Sequence, residues 1–268
     1  MISCIDQCGK KVELPSAPER IVSLVPSQTE LLYHLGLDEQ VAGISKFCVH
    51  PESWFRHKKR IGGTKTVHVE EVLSLQPDLI IANKEENVQW QVEALAAHCP
   101  VYTSDISNLQ DALQMLGDIG LLTNRAEQAT ILQNDILHAF AHLQPANPLV
   151  KTAYLIWQQP YMSVGGDTFI HDMLQRCGLI NVFEGSTRYP AISLEDLQHA
   201  DCQLVLLSSE PYPFTAQHAR ELEAQLPSSR VLLADGEMFS WYGSRLLASP
   251  GYFSSLLKKV QTALVAQR

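Results

Sequence analysis

VEEVLSLQPDLIIANKE, residues 69–85, is the stretch from which the fold can be read. Its first part has helical spacing: from His68 to Gln76 the apolar residues are Val69, Val72, Leu73 and Leu75. Pro77, which lacks a backbone donor, breaks the helix, and Asp78–Asn83 (DLIIAN) follows as a continuous apolar strand. A strand apolar on both faces belongs in a parallel sheet covered on both sides. The same order returns in LEDLQHADCQLVLLSSE, residues 194–210, where Glu195 stands 125 residues after Glu70. Each copy has an acidic pair at the helix start (Glu70 with Glu71, Glu195 with Asp196), and the spacing to the strand is the same. The chain therefore carries a faint internal repeat of an α/β unit.

Outward from the first copy, Arg20–Pro26 (RIVSLVP) reads as a buried strand, with Ser27 as the N-cap of a helix that runs through Glu30 and Leu32 to Leu35 and ends at Gly36. Val41–Lys46 is strand-like and Phe47–Pro51 is the loop after it. A helix begins at Glu85–Asn87 and passes through Trp90 and Leu95, and Val101–Ser104 is a further strand. This alternation is the mark of βαβ units. From Ser107 the pattern turns helical, breaks at Thr123–Asn124, and stays helical from Arg125 to Leu143, with Ile131, Ile136, Leu137 and Phe140 apolar. At 1.5 Å per residue such a helix runs to roughly 30 Å, enough to bridge two domains. Pro145 and Pro148 end it. A second series follows: strand Thr152–Trp157, helix Asp167–Cys177, strand Gln203–Ser208, helix Thr215–Gln225, strand Val231–Asp235 and a closing helix Pro250–Ala266. The expected organisation is an N-terminal α/β lobe over residues 1–122, a linking helix over 123–146 and a C-terminal α/β lobe over 147–268, both lobes with mainly parallel sheets.

Composition narrows the function. With 268 residues, 46% of them hydrophobic and 18% charged, the chain folds throughout and has room for two cores. A net charge of −9 argues against a nucleic-acid partner; the basic exceptions, Arg56–Arg60 and Lys258–Lys259, are short. No apolar run approaches the roughly 20 residues that span a bilayer. Met1–Lys11 contains Asp6 and polar residues where a secretory signal carries basic residues and an apolar core, so export is not encoded there. The six cysteines (Cys4, Cys8, Cys48, Cys99, Cys177, Cys202) form no paired metal framework and are expected to be mostly free thiols.

Ligands of open parallel sheets sit beyond the carboxyl ends of the strands. In the first half those ends offer Ser27, Phe47, Cys48, Thr64, Lys65 and Glu86; in the second they offer Trp157, Tyr161, Tyr189, Tyr212, Phe239, Trp241, Tyr242 and Arg245. Aromatic side chains dominate this set and supply large, rigid contact area, which suits a flat or cyclic organic ligand. Gly62-Gly63-Thr64-Lys65 lacks the spacing of a phosphate loop, and no GxSxG elbow supports a serine nucleophile. Cys48 and His50 offer one thiolate and one imidazole but lack the other ligands of an autonomous zinc site. Asp235–Arg245 is the densest segment; its Arg245 either meets a ligand's carboxylate or phosphate or forms an internal salt bridge.

RIVSLVPSQTELLYHLGL, then VAGIS, GGTK and VEEVLSLQPDLIIA, resemble the ABC-importer solute-binding proteins that capture cobalamin, haem and iron-siderophores, the helical-backbone class that includes vitamin B12-binding proteins. The resemblance runs from about Arg20 to Lys259. It implies two α/β lobes joined by one long helix, a ligand cleft between them, a monomer, no catalysis and no intrinsic cofactor, the metal compound being the ligand. It also implies a glutamate on each lobe that docks onto arginines of the membrane permease, at Glu70 and Glu195. A carboxylate there also favours its own helix N-terminus. By resemblance the location is periplasmic or at the cell surface; the N-terminal residues fit either a mis-set or truncated start or a cytoplasmic relative. Abundant aromatics favour a corrinoid over a strongly anionic siderophore. The competing readings are a cytoplasmic carrier and a tetrapyrrole-processing enzyme such as a metal chelatase, for which Cys48, His50 and Glu86 are the nearest candidates.

Overall fold

Buried apolar runs become parallel strands in the computed structural model, which describes residues 1–265. The chain divides into two compact units: Met1–Ile106, Gln110–Ile136 and Tyr242–Arg245 form one, and Ser107–Leu109, Leu137–Trp241 and the residues from Leu246 onward form the other.

The first unit opens with an antiparallel hairpin of β1 (Ile2–Ile5) and β2 (Lys11–Leu14). Then come β3 (Ile21–Ser23), α1 (Pro26–His34), β4 (Val41–Ile44), α2 (Glu52–His57), β5 (Lys59–Arg60), α3 (Val69–Ser74), β6 (Leu79–Asn83), α4 (Gln89–Ala96), β7 (Val101–Ser104), α5 (Leu109–Leu122) and α6 (Ala126–Ala141). Five strands pair in the order β5-β4-β3-β6-β7, all parallel. Val22, Leu24, Ile80 and Ala82 pack against Val72 of α3 and Val92 and Leu95 of α4 in one core.

The second unit contains β8 (Val150–Leu155), β9 (Tyr161–Met162), α7 (Phe169–Arg176), β10 (Leu179–Asn181), β11 (Ala191–Ile192), α8 (Leu194–His199), β12 (Leu204–Ser208), α9 (Ala216–Gln225), β13 (Arg230–Ala234), α10 (Gly236–Ser240) and α11 (Ser249–Val265). A 3-10 turn covers Ser244–Leu247. Its sheet is parallel in the order β10-β8-β12-β13, and β9 and β11 form a small antiparallel pair. Ala153, Leu155, Val205 and Leu207 meet Leu197 of α8 and Leu222 of α9. The α/β class with parallel sheets thus holds in both units.

The internal repeat is visible residue by residue. Helices α3 and α8, and strands β6 and β12, have bounds shifted by the same 125 residues. Both helices end at a left-handed residue at matching positions, Gln76 (φ 49°) and Asp201 (φ 52°). A left-handed residue after the C-cap turns the chain sharply off the helix and back toward the sheet.

Several expectations need correction. The N-cap of α1 is Val25, with Pro26 in the first turn, so Ser27 lies inside the helix. The segment from Lys84 to Asn87 is a turn, and α4 starts only at Gln89. The strands expected at Thr152–Trp157 and Val231–Asp235 begin earlier, at Val150 and Arg230. Helix α6 has 16 residues, about 24 Å at 1.5 Å per residue, and buries Ala129, Leu132 and Ile136. Ile131 and Leu137, expected on its apolar face, are exposed. Tyr242–Arg245 belongs to the first unit, although it lies within the stretch expected to form the C-terminal lobe. The closing helix starts at Ser249, and Ala266 lies outside the described residues.

Helices α5 and α6 approach closely at Gly120, where an added Cβ would stand 2.4 Å from the Cβ of Ala129. Gly120→Ala is therefore expected to cost roughly 1–3 kcal/mol by overpacking. Gly251→Ala on α11, with nothing within 4 Å of the new atom, should be neutral or stabilise by about 0.4–1 kcal/mol. Urea denaturation of the two variants checks the contrast.

Candidate functional site

In the first unit the chain winds outward from β3 in both directions, so the topological switch point lies between β3 and β6. The carboxyl end of β3 leads directly into α1. No side chain caps that helix, and Ser27 Oγ and Gln28 Oε1 are buried with no hydrogen-bond partner among the described residues. The carboxyl end of β6 is organised by Asn83. Its Oδ1 accepts from the backbone N–H of Glu85 and of Glu86, both at 2.9 Å, and its Nδ2 donates to Ser104 O (3.2 Å) and Oγ (3.0 Å). Asn87 Oδ1 accepts from Asn83 N–H at 2.9 Å, and Asn87 Nδ2 donates to Thr64 O at 3.0 Å. Lys65 Nζ donates to Glu85 O at 2.5 Å. Two loops beyond the sheet are thus held together by side chains that replace lost ladder bonds.

The sequence-derived residues of this unit divide into two groups. Phe47 is exposed with Lys46 over its ring (5.0 Å to the centroid), Lys65 is exposed, and Thr64 and Glu86 are half-buried. Tyr242 joins this unit, with its hydroxyl 3.5 Å from Glu86 Oε1. Cys48, in contrast, is fully buried. Its Sγ lies 3.0 Å from Thr29 Oγ1 and 3.2 Å from Ser45 Oγ, and burial pushes the thiol up to about 11. It is a core thiol with no face toward a ligand, which also removes it from a metal pair with His50. Among the described residues no group of three or more His, Cys, Asp or Glu is placed to hold a metal ion, and all six cysteines are unpaired thiols. Arg245 takes the internal alternative: its Nη2 donates to Glu30 Oε1 at 2.7 Å and its Nε to Oε2 at 3.0 Å.

In the second unit the switch point lies between β8 and β12. Trp157 stands just past β8 and Tyr212 past β12, and their rings meet edge to face at 5.6 Å. Trp157 is 40% exposed, and Tyr212 is half-buried over Phe214 and His218. Tyr161 on β9 and Tyr189 are half-buried. An open depression of about 470 Å³ adjoins the ends of β12 and β13, lined by Ser209, Glu210, Leu233, Ala234, Asp235 and Glu237. Glu210 accepts at Oε1 from Ser240 Oγ (2.8 Å) and from Trp241 Nε1 (3.0 Å). Gly236 permits this approach, since an added Cβ would stand 2.5 Å from Glu210 Cγ and Ser208 Oγ. Phe239 is a correction: it is fully buried against Tyr154 and Phe253, with centroids at 5.1 and 4.6 Å, and fills the core. Trp241 is buried too and offers its indole N–H to Glu210.

Sequence reasoning missed Asn83, Asn87, Glu30 and Glu210 as organisers. The two asparagines four apart at the end of a buried strand were a usable signal, because Asn side chains tie turns to the backbone. Nothing local marked Glu30 as the partner of Arg245.

Burial, followed by the charges of Glu237 and Asp235, raises the Glu210 carboxyl above its ordinary value of 4.5, against the two donated hydrogen bonds. A carboxyl raised in the folded state contributes stability that is complete below pH 4.5 and lost as pH rises through the folded value. Glu210→Gln keeps an acceptor for Ser240 and Trp241 but cannot ionise. It should melt with the parent below pH 4.5 and about 2–4 °C above it at pH 7–8, read in melts across that range. A variant less stable at pH 7 would mean that the two donors outweigh the burial of the charge.

A family model described as periplasmic binding protein matches residues 21–228. The chain is 26% identical over 257 residues to the vitamin B12-binding protein of Pectobacterium atrosepticum, covering 92% of this chain and 91% of that one. It is 28% identical over 201 residues to the vitamin B12-binding protein of Yersinia pestis, covering 72% and 70%. Among solved structures, the periplasmic vitamin B12 binding protein BtuF of Vibrio cholerae superposes with a TM-score of 0.72 at 22% identity, over 92% of this chain and 99% of that one. The periplasmic heme-binding protein RhuT from Roseiflexus gives 0.77 at 18%, over 93% and 100%. These likenesses establish a shared fold.

Proposed function

We propose, from the premise that the chain belongs to the periplasmic binding protein family, that it captures a bulky metal-cofactor-type ligand for an ABC importer. The ligand is a corrinoid, haem or iron-siderophore, with the corrinoid first. The observation that carries the ligand reading is the Trp157–Tyr212 pair at the switch point of the second sheet, where an exposed indole and a half-buried phenol present rigid apolar surface. Relatives named for vitamin B12 binding across nearly the whole chain support the corrinoid. The metal compound is cargo in this reading, held without covalent chemistry and without a cofactor of the protein's own. The importer sets the location: the chain works on the outer side of the cytoplasmic membrane, as relatives named periplasmic do, and no described helix is long and apolar enough to cross a membrane.

The chelatase alternative needs a thiolate or imidazole beside a carboxylate on a metal path, and the inward Cys48 takes away its central candidate. Glu70 and Glu195 are the docking residues of this proposal. Both are exposed, both occupy the second position of a six-residue helix, and both belong to the repeated segment. Paired carboxylates presented by equivalent elements suit recognition by permease arginines, because exposed charge complementarity steers and registers a complex.

Titrating the protein with cobalamin, cobinamide, haem and a ferric siderophore, read by quenching of its four tryptophans, should give saturable binding of one of them. Trp157→Ala and Tyr212→Ala should each weaken it by about tenfold or more, the range of a lost aromatic anchor. No binding across the panel would remove the uptake reading. The Glu70→Ala, Glu195→Ala double variant should keep the ligand affinity within about twofold and lose capture by the permease, since rim charges act on the partner and not on the ligand. Loss of ligand affinity would put the two glutamates on the wrong face.

A further inference from the structure

Helix α6 ends at Ala141, and the stretch His138-Ala-Phe-Ala-His142 straddles that end, with one imidazole in the last turn and the other just past it, four residues on. Their ring centroids are 4.3 Å apart at an interplanar angle of 43°, and both residues are exposed. His142 Nδ1 lies 2.7 Å from the backbone carbonyl of His138. A carbonyl only accepts, so Nδ1 is the donor there and Nε2 is the nitrogen turned away from it. A carbonyl holding the far nitrogen is the usual way in which a metal-binding imidazole is oriented. The turn beneath is anchored: Phe140 packs on Phe253 at 6.4 Å and under the Arg176 guanidinium at 5.7 Å, and Leu143 is buried.

We infer that His138 and His142 form a binding site for a divalent transition-metal ion, of the Cu²⁺, Ni²⁺ or Zn²⁺ type. Two imidazoles at positions i and i+4 present two nitrogen donors to one ion, the spacing that helical zinc-binding motifs use. Nitrogen donors select these ions over Mg²⁺ and Ca²⁺, which require oxygen. Among the described residues no third His, Cys, Asp or Glu joins the pair, so water completes the coordination and the ion exchanges readily. The ion would clamp the end of α6.

The test is a competition titration of the full chain, stripped with EDTA, against a chromophoric chelator loaded with Cu²⁺, Ni²⁺ or Zn²⁺, with nitrogen hyperfine structure of bound Cu²⁺ as a second readout. One equivalent is expected, tightest for Cu²⁺. His138→Asn and His142→Asn should each weaken it by about tenfold or more, while His57→Asn, at an exposed position of α2, leaves it unchanged. Added metal should raise the melting temperature of the parent and not of the two variants, and all proteins should melt alike in EDTA, which separates lost ligation from lost folding. Equal binding by parent and variants, or binding no tighter than that of free imidazole, would overturn the assignment.

Discussion

Strands β6 and β12, LIIAN and LVLLS, are buried at every residue, and most of the architecture depends on that. A strand with no wet face must be covered by helices on both sides, and parallel neighbours demand crossovers of a dozen residues or more. Once these strands are interior, the free ends of the sheets are the places where chain can leave the core. Each sheet changes winding direction beside its central strand, which leaves a notch there that no crossover fills. The position of the functional surface is thus a by-product of burial.

Leaving the core in this way exposes backbone groups that the ladder no longer satisfies, and the two units answer differently. At β6 a neutral side chain, Asn83, takes up the orphaned N–H groups of the following turn. At β12 the turn is held through Ser208 and an acid, with Glu210 receiving the hydroxyl of Ser240 and the indole of Trp241. The first solution is electrically silent. The second places a carboxyl near the mouth of a depression that Asp235 and Glu237 also line, although the strands that lead into the two turns have the same bounds shifted by 125 residues.

The sequence carried the framework well because its signals were local and strong. DLIIAN and QLVLLS are apolar over the full strand, Val101–Ser104 is bounded by Pro100, and the repeat places both glutamates at the same helical position. The hairpin β1–β2 escaped notice because it alternates over only four residues per strand. The candidate site was legible by segment and not by side chain. Phe239 and Trp157 follow strands in similarly polar, aromatic segments, yet one fills the core and the other meets solvent. That choice is made by partners far along the chain, such as Phe253, which no local pattern reveals. Cys48 was misplaced for the same reason, and the choice between the two readings of Arg245 is made in the same way: Thr29 and Glu30, consecutive residues on α1, claim them from a distance.

The return of Tyr242–Arg245 to the first unit bears on how the protein can be divided. Neither unit is a single stretch of chain, because the first borrows four residues from deep within the second. Gly243 adopts φ +136° there, with an added Cβ only 3.0 Å from Ser27 O, and Arg245 closes on Glu30. A gene cut in the helical region between the units would yield a first fragment whose Glu30 has lost its guanidinium. Its complement would carry four residues folded for a surface no longer present. The duplication suggested by the repeat therefore no longer corresponds to two separable modules, and the inheritable unit is the whole chain.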